Sequence, residues 1–306
     1  MELVIGSRGS KLALWQSEWV RARLEEADPR ASVRVEVIKT TGDVRRDAPL
    51  SVIGGQGAFT KELEVALLEG RIDIAVHSLK DLPTVVPHGL QITATPERED
   101  ARDALVLPAG ADGRGASIRS LPAGATVGTS SLRRIAQLKH LRPDVLVKDL
   151  RGNVDTRLRK LDGGEYDALI LAAAGLRRLG LGGRVSAYLD SGEMLPAVGQ
   201  GSLGVETRAD ASETNALVAR LDHRETRAAV VAERALLRHL GGGCQVPIAA
   251  HAETNGRTLR LSALVASPGG EELIRDAMEG AADDAERLGE ALAARMVERG
   301  AAELLK

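Results

Sequence analysis

Strand-length apolar runs alternate with helix-length segments over the first two thirds of this chain. Residues 33–37 alternate apolar and polar side chains like a strand with one buried face, and residues 72–76 form a short apolar run. Residues 12–24 and 61–69 repeat their apolar side chains at helical spacing, with Ser10 and Thr60 as predicted caps. This alternation is typical of α/β proteins with mostly parallel sheets, whose binding sites lie at strand ends.

A second α/β region follows the first, and the charged segment 95–102 between them is interpreted as a hinge. Its predicted strands and helix are residues 126–128, 131–141, 145–147 and 167–172. Residues 203–206 also resemble a strand. After His223 the pattern changes to helix 226–240, strands 248–250 and 258–265, and helix 282–298. These later elements lack strand–helix–strand alternation, which predicts a small α+β domain.

Composition limits the classes of function. The chain has 306 residues, 43% of them hydrophobic, which is enough for two or three domains with real cores. Aromatic residues make up only 2%, and the net charge is -2, so neither base stacking nor a global field favours nucleic acid. One cysteine and six scattered histidines predict no disulfide and no metal site. With no signal-like start and no long apolar stretch, we expect a cytoplasmic protein without a membrane partner.

The charges are unevenly distributed. Between Gly128 and Arg184 there are 12 lysines and arginines against 6 acidic residues. This region contains Thr129, Ser130 and Ser131 at a predicted strand end, followed by Arg133 and Arg134. Hydroxyl groups, helix N-terminal amides and guanidinium groups together suit a carboxylate or phosphate, so we expect a local anion site.

The segment from His77 to Pro83 follows a predicted buried strand and would face the ligand crevice of an open sheet. Asp81 is a candidate general acid or base, and Lys80 a candidate ligand for an anionic group. A polar turn with a surface Lys–Asp pair explains the same residues equally well.

Cys244 follows three glycines. A lone cysteine is usually a small buried hydrophobic residue, whereas a glycine-rich loop would leave its thiol accessible. His239 and His251 lack the spacing of a Cys/His nucleophile, so a covalent tether is the functional alternative.

Two other glycine-rich segments are weak signals. Residues 199–204 match the pattern G-x-G-x-x-G, but a strand-like segment follows where a dinucleotide site needs a helix. Residues 54–57 lack the Gly-Lys-Ser/Thr ending of a phosphate loop, and we interpret them as part of a lid.

Taken together in chain order, seven motifs resemble those of the porphobilinogen deaminase family from end to end. The motifs are Gly6-Ser7-Arg8-Gly9-Ser10-Lys11-Leu12-Ala13, Lys61-Glu62-Leu63-Glu64, His77-Ser78-Leu79-Lys80-Asp81-Leu82-Pro83, Gly128-Thr129-Ser130-Ser131-Leu132-Arg133-Arg134, Leu150-Arg151-Gly152-Asn153-Val154, Leu195-Pro196-Ala197-Val198-Gly199-Gln200-Gly201 and Gly243-Cys244-Gln245-Val246-Pro247. The resemblance implies two α/β lobes like those of periplasmic binding proteins, with the active site between them, and a small α+β C-terminal domain. The predicted boundaries are residues 1–98 with 200–220, residues 103–195, and residues 224–306.

The resemblance also implies the chemistry. Four porphobilinogen molecules would each lose ammonia through an azafulvene-like species and join into hydroxymethylbilane, a step of tetrapyrrole (haem, chlorophyll, cobalamin) biosynthesis. Growth would occur on a dipyrromethane cofactor bound to Cys244 through a thioether, in a monomeric enzyme. By family position, Asp81 and Arg8 are catalytic. The implied cofactor-binding residues are Lys80, Ser78, Thr129, Ser130, Ser131, Arg133 and Arg134, and the implied substrate-binding residues are Ser10, Arg151, Arg157, Arg178 and Gln200.

Two positions depart from the family pattern. Many relatives have a lysine where this chain has Gln56, and some have another where this chain has Val52. We therefore assign neither residue a role in carboxylate binding. Two other interpretations compete with the resemblance: a two-lobed solute- or effector-binding protein, and a phosphate-dependent transferase acting through residues 129–134. The first does not explain Cys244 or a third domain, and the second lacks a phosphate-loop lysine.

Overall fold

The computed structural model describes residues 1–40, 60–242 and 246–305. These residues form two compact units. The first contains Met1–Glu99 and Ser202–Arg227, and the second contains Asp100–Gly201 and Ala228–Lys306.

The first unit is built on a mixed sheet with the strand order β2-β1-β3-β10-β4. Its strands are β1 (Glu2–Ser7), β2 (Ser32–Val37), β3 (Ile74–Ser78), β4 (Leu90–Ala94) and β10 (Leu203–Arg208). Its helices are α1 (Lys11–Ala27), α2 (Lys61–Leu68) and α6 (Ser212–Val218). β1 runs parallel to β2 and β3, whereas β10 is antiparallel to β3 and β4.

Helices cover both faces of this sheet. Val20 and Leu24 of α1 pack in one fully buried cluster with Ile5 and Ile74. On α2, Leu63 and Leu67 pack in a separate cluster that includes strand residue Ala75. Burial on both faces explains why β3 reads as a continuous apolar run in the sequence.

The second unit contains a mixed sheet with the order β7-β6-β8-β5-β9. Its strands are β5 (Asp103–Val106), β6 (Thr126–Gly128), β7 (Leu146–Lys148), β8 (Ala168–Ala172) and β9 (Ala187–Leu189). The helices beside them are α3 (Leu132–Leu141), α4 (Val154–Asp162) and α5 (Ala173–Arg178). β6 is parallel to β7 and β8, and β5 is antiparallel to β8.

The same unit contains an antiparallel sheet of β11 (Ile248–Asn255), β12 (Thr258–Ala266) and β13 (Leu273–Ala281). Helices α7 (Arg224–His239) and α8 (Ala285–Glu298) pack on it through Leu236, Leu292 and Met296, and the short α9 (Ala301–Leu304) follows. Strand β11 also contacts the segment that follows β9, because the Ala250 N–H donates to the Pro196 carbonyl at 3.2 Å.

The predicted fold class, two α/β sheet systems with a small C-terminal α+β part, is confirmed by this arrangement. The predicted domain boundaries stay a prediction. Thr60 occupies the N-cap position of α2, but its side chain makes no capping bond there. Within the described residues, no helix combines the length and apolarity needed to cross a bilayer.

Candidate functional site

In the first unit, the predicted site residues gather at one edge of the sheet. β1 and β3 are parallel neighbours, so their carboxyl ends lie side by side. Arg8 and Ser10 follow the end of β1, and Ser78 is the last residue of β3. Lys80 and Asp81 lie directly beyond it in a 3₁₀ turn. The sheet topology therefore brings these five residues to a common edge.

The Ser10 and Ser78 side chains have local structural partners. The Ser10 hydroxyl accepts a hydrogen bond from the Ala13 N–H at 3.2 Å and caps α1, as the sequence predicted. The Ser78 hydroxyl lies 2.9 Å from the amide nitrogen of Gln16, which is buried on α1. Ser78 thus ties the end of β3 to α1.

The turn that carries Lys80 and Asp81 is anchored by its leucines. Leu79 and Leu82 are buried, and the Leu79 N–H donates to the Ser202 carbonyl at 3.0 Å. Between these anchors, Lys80 is half-buried and Asp81 is exposed. The turn is therefore held in place while the Asp81 carboxylate remains accessible.

A buried acid–base pair lies behind this turn. His77 Nε2 is 3.1 Å from Glu206 Oε2, and the Glu206 side chain is fully buried. This pair was not predictable from the sequence, because its partners are far apart in the chain and meet through the pairing of β3 with β10.

The second unit has a corresponding edge. The carboxyl ends of β6, β7 and β8 lie together, and β5 begins at the same edge because Asp103 pairs with Ala172. The predicted residues at or near these strand ends are Thr129, Ser130, Ser131, Arg133, Arg134, Arg151, Arg157 and Arg178.

Arg133 and Arg134 converge on the carboxylate of Asp103. Arg133 Nη1 lies 2.7 Å from Asp103 Oδ2, and Arg134 Nη2 lies 2.7 Å from Asp103 Oδ1. The Gln200 side-chain amide donates to the same Oδ1 at 2.9 Å. The Asp103 side chain is fully buried. Arg134 Nη1 donates to the Ile170 carbonyl at 3.0 Å, so each nitrogen of its guanidinium group has a partner within the unit.

This cluster is positively charged and has an unused donor. Burial alone would raise the pKa of Asp103, but the two guanidinium groups outweigh burial and hold that pKa well below its usual range. Two arginines and one ionised aspartate leave a net charge of about +1. Among the described atoms, the buried Arg133 Nε has no hydrogen-bond partner. The cluster therefore offers both the charge and a donor for an anionic group.

The three hydroxyl residues that precede α3 make different contacts. The Ser130 hydroxyl donates to the Leu150 carbonyl at 2.8 Å and accepts from the Leu150 N–H at 2.9 Å. Thr129 is buried, and its hydroxyl accepts from the Ser131 N–H at 3.3 Å. Ser131 is the N-cap residue of α3 without a side-chain capping bond. Ser130 thus joins the strand end of β6 to the loop after β7.

Arg151 lies in that loop, and Arg157 lies on the helix α4 that follows it. Arg151 Nε lies 2.8 Å from Asp149 Oδ2, and Arg157 Nε donates to the Gly152 carbonyl at 2.7 Å. Both arginines are only half-buried. Burial tends to raise the pKa of Asp149, but hydrogen bonding by Ser130 and the charge of Arg151 lower it overall.

Arg178 and Gln200 are buried and bind backbone within the unit. Arg178 Nη2 donates to the Gly201 carbonyl at 2.7 Å, and the Gln200 amide donates to the Ala101 carbonyl at 2.7 Å. Gly199 and Gly201 both have positive φ angles, and β10 follows them. The G-x-G-x-x-G match therefore lacks the helix of a dinucleotide site, as predicted.

Cys244, Gln56 and Val52 lie outside the described residues. In the described part of the chain, no group of three His, Cys, Asp or Glu side chains is arranged to hold a metal.

These features define an α/β protein with arginine- and hydroxyl-rich strand ends suited to carboxylates, together with a small α+β domain. Residues 3–216 match the family model described as porphobilinogen deaminase, dipyromethane cofactor binding domain, and residues 227–298 match the model of the C-terminal domain of porphobilinogen deaminase. The chain belongs to the porphobilinogen deaminase family.

Full-length relatives agree with this assignment. The chain is 52% identical over 305 residues to a porphobilinogen deaminase of Pelobacter propionicus, covering 100% of this chain and 96% of the relative. It is 51% identical over 304 residues to that of Chromobacterium violaceum, covering 99% and 97%. Among solved structures, the effector-binding domain of BenM with benzoate aligns with 72% of this chain and 90% of its own length, at 16% identity and a TM-score of 0.43.

Proposed function

We propose that this chain condenses four porphobilinogen molecules head to tail into hydroxymethylbilane, with release of ammonia, on a dipyrromethane cofactor attached to Cys244. The observation that carries this function is the match of both family models, which together cover residues 3–216 and 227–298. The enzyme is a transferase of tetrapyrrole biosynthesis. We further propose that it works in the cytoplasm as a monomer.

The residues of the second unit fit a carboxylate-bearing cofactor. The Asp103 cluster has a net positive charge, and Arg133 Nε is buried without a partner among the described atoms. An anionic group at this point would satisfy both conditions, because buried charges and donors require compensation. When bound, dipyrromethane supplies the free pyrrole α-carbon at which the chain grows.

Asp81 is the proposed proton-handling group. Each condensation breaks a carbon–nitrogen bond, so the departing amine must leave protonated. Each new carbon–carbon bond releases a proton from the α-carbon of the attacking pyrrole. A carboxylate can accept hydrogen bonds from pyrrole N–H groups, stabilise positive charge on the ring and transfer these protons. The anchored turn presents the Asp81 carboxylate in the exposed position that this role requires.

The remaining assignments concern carboxylate binding. Every porphobilinogen carries an acetate and a propionate group, for which guanidinium and ammonium groups are suitable partners. We assign Arg8 to catalysis, and the binding of cofactor or substrate to the residues of both sheet edges. They are Ser10, Ser78, Lys80, Thr129, Ser130, Ser131, Arg133, Arg134, Arg151, Arg157, Arg178 and Gln200.

The test is steady-state kinetics with an Asp81→Asn variant that has been shown by mass to carry its cofactor. The amide keeps the size of the side chain but cannot exchange protons, so kcat should fall by about 10²- to 10⁴-fold. Asp276→Asn is the control, because Asp276 binds Arg295 within the C-terminal part of the second unit. A loaded Asp81→Asn protein with kcat near that of the unmodified chain would overturn the assignment.

A further inference from the structure

Asp103 was not among the residues that the sequence singled out, yet it is the common partner of three that were. Its two carboxylate oxygens receive Arg133 Nη1, Arg134 Nε and Nη2, and the Gln200 amide, at distances of 2.7, 3.1, 2.7 and 2.9 Å. The side chain is fully buried, so solvent does not share these bonds.

We propose that Asp103 is a positioning residue for cofactor attachment: it holds Arg133 and Arg134 in the orientation that receives a carboxylate of the cofactor. The inference rests on the proposed function. Asp103 does not itself contact the cofactor in this account, since an anion would repel the acetate and propionate groups. It acts through the arginines, which start on helix α3 and would otherwise have several side-chain orientations available.

The way the two guanidinium groups are held supports this role. Arg134 is fixed on three sides, because its Nε and Nη2 bind Asp103 and its Nη1 binds the Ile170 carbonyl. Arg133 is fixed through Nη1, which binds both Asp103 and the Leu195 carbonyl at 2.7 Å. Its buried Nε has no partner among the described atoms. The carboxylate thus immobilises both side chains, and the buried Nε of Arg133 is left without a partner among the described atoms.

Asp103 also connects the arginines to the segment that precedes β10. Gln200 bridges the Asp103 carboxylate and the Ala101 carbonyl. Leu195, which accepts from Arg133, is fixed in turn by Gln137, whose side chain binds both its N–H and its carbonyl. One buried carboxylate therefore binds groups on α3 and the side chain of Gln200, and it is linked to Leu195 through Arg133.

The first experiment compares Asp103→Asn with Asp276→Asn. The control removes a similar charge, because Asp276 lies between Arg295 and Arg299 in the same unit. Each variant is prepared in the cofactor-free state, incubated with porphobilinogen, and followed by intact mass and by thermal unfolding. A displacement of about 1 Å in a binding group costs about 100-fold in rate. We expect cofactor loading of Asp103→Asn to slow by about this factor, and that of Asp276→Asn to stay near the unmodified rate.

Equal loading rates in a folded Asp103→Asn protein and the unmodified chain would overturn the inference. So would equal slowing in both variants, because that result would indicate a general loss of stability. If the unmodified chain itself acquires no dipyrromethane mass, the proposed function fails and not the positioning role alone.

A second measurement does not depend on the variant folding. Arginine side-chain NMR of the full chain carrying Cys244→Ser reports on the guanidinium groups without the cofactor. If Asp103 positions them, the assigned guanidinium groups of Arg133 and Arg134 should show slow proton exchange in the cofactor-free protein. The same two groups should exchange slowly in the loaded, unmodified chain. Rapid exchange of both groups until the cofactor is attached would contradict the proposal, since the cofactor would then be what orders them.

Discussion

The Glu233 carboxylate lies 2.7 Å from the backbone nitrogen of Gly199 and accepts its hydrogen bond. Its other oxygen accepts from the Ala252 N–H at 2.8 Å, and the side chain is fully buried. Glu233 lies on α7, so one carboxylate joins that helix, the Gly199 turn and strand β11. Within the second unit, the segment that carries Gln200 is therefore bound by two buried carboxylates, Asp103 before it in the chain and Glu233 after it.

Replacing Glu233 by Gln should lower stability. A carboxamide offers a single acceptor oxygen, so one of two buried N–H groups would face an NH₂ donor. Leaving one buried donor unsatisfied costs about 1–3 kcal/mol. Urea unfolding should show this loss. Glu253→Gln, at an exposed position of strand β11, should change the free energy of unfolding by less than about 0.5 kcal/mol. An unchanged free energy of unfolding for Glu233→Gln would mean that these two backbone bonds contribute little.

The contact of α8 with α7 requires glycine at position 289. A Cβ atom there would lie 2.3 Å from the Ala232 carbonyl oxygen and 2.8 Å from the Ala235 Cβ. Since neither neighbour is a flexible side chain, the helices would have to move apart, and Gly289→Ala should cost about 1–3 kcal/mol. Gly183→Ala, with nothing within 4 Å of its Cβ, should change the free energy of unfolding by less than about 1 kcal/mol. Similar unfolding midpoints for the two variants would refute this packing argument.

The acidic group Glu64 should make stability depend on pH. Burial, with a contribution from the nearby Glu206 charge, raises the pKa of Glu64 above its ordinary value of 4.5. A raised folded-state pKa means that the folded chain binds this proton more tightly. The resulting stabilisation is complete below the unfolded pKa and is lost as pH rises through the folded pKa.

Glu64→Gln removes this titration. Its stability relative to the unmodified chain should therefore increase between pH 4 and pH 7, and urea unfolding at both values measures the change. Glu69→Gln is the matched control, because Glu69 follows the same helix and is about half exposed. A relative stability of Glu64→Gln that is constant over this pH range would show that burial does not perturb the Glu64 carboxyl in solution.

The sequence predicted the repeated elements of the fold because their patterns are local. Helix α1, with Ser10 as its cap, and the buried strand β3 were both identified from a few consecutive residues. Strand β5 was missed, since Asp103–Val106 is short, begins with a charged residue and follows the charged segment interpreted as a hinge. Strand β13 was missed because it is only half-buried, so its apolar residues do not alternate cleanly.

The candidate site was predictable to the extent that its residues follow strands. The turn at Lys80 and Asp81 and the hydroxyl segment at 129–131 both lie at strand ends, as the alternation of elements indicated. Asp103 was not predictable, because its partners are about 30 positions away and a long-range ion pair leaves no spacing pattern. The contacts of Arg134 with Asp103 and Ile170 were not predictable for the same reason. From the sequence, Arg134 was predicted only as a basic residue of an anion site.

The most direct test of the account is the intact mass of the full chain beside that of a Cys244→Ala variant, both produced with ample porphobilinogen. We expect an excess of one covalently attached dipyrromethane in the unmodified chain and none in the variant. If each protein has the mass of its own bare polypeptide, that result would contradict the covalent attachment at Cys244, and with it the proposed mode of chain growth.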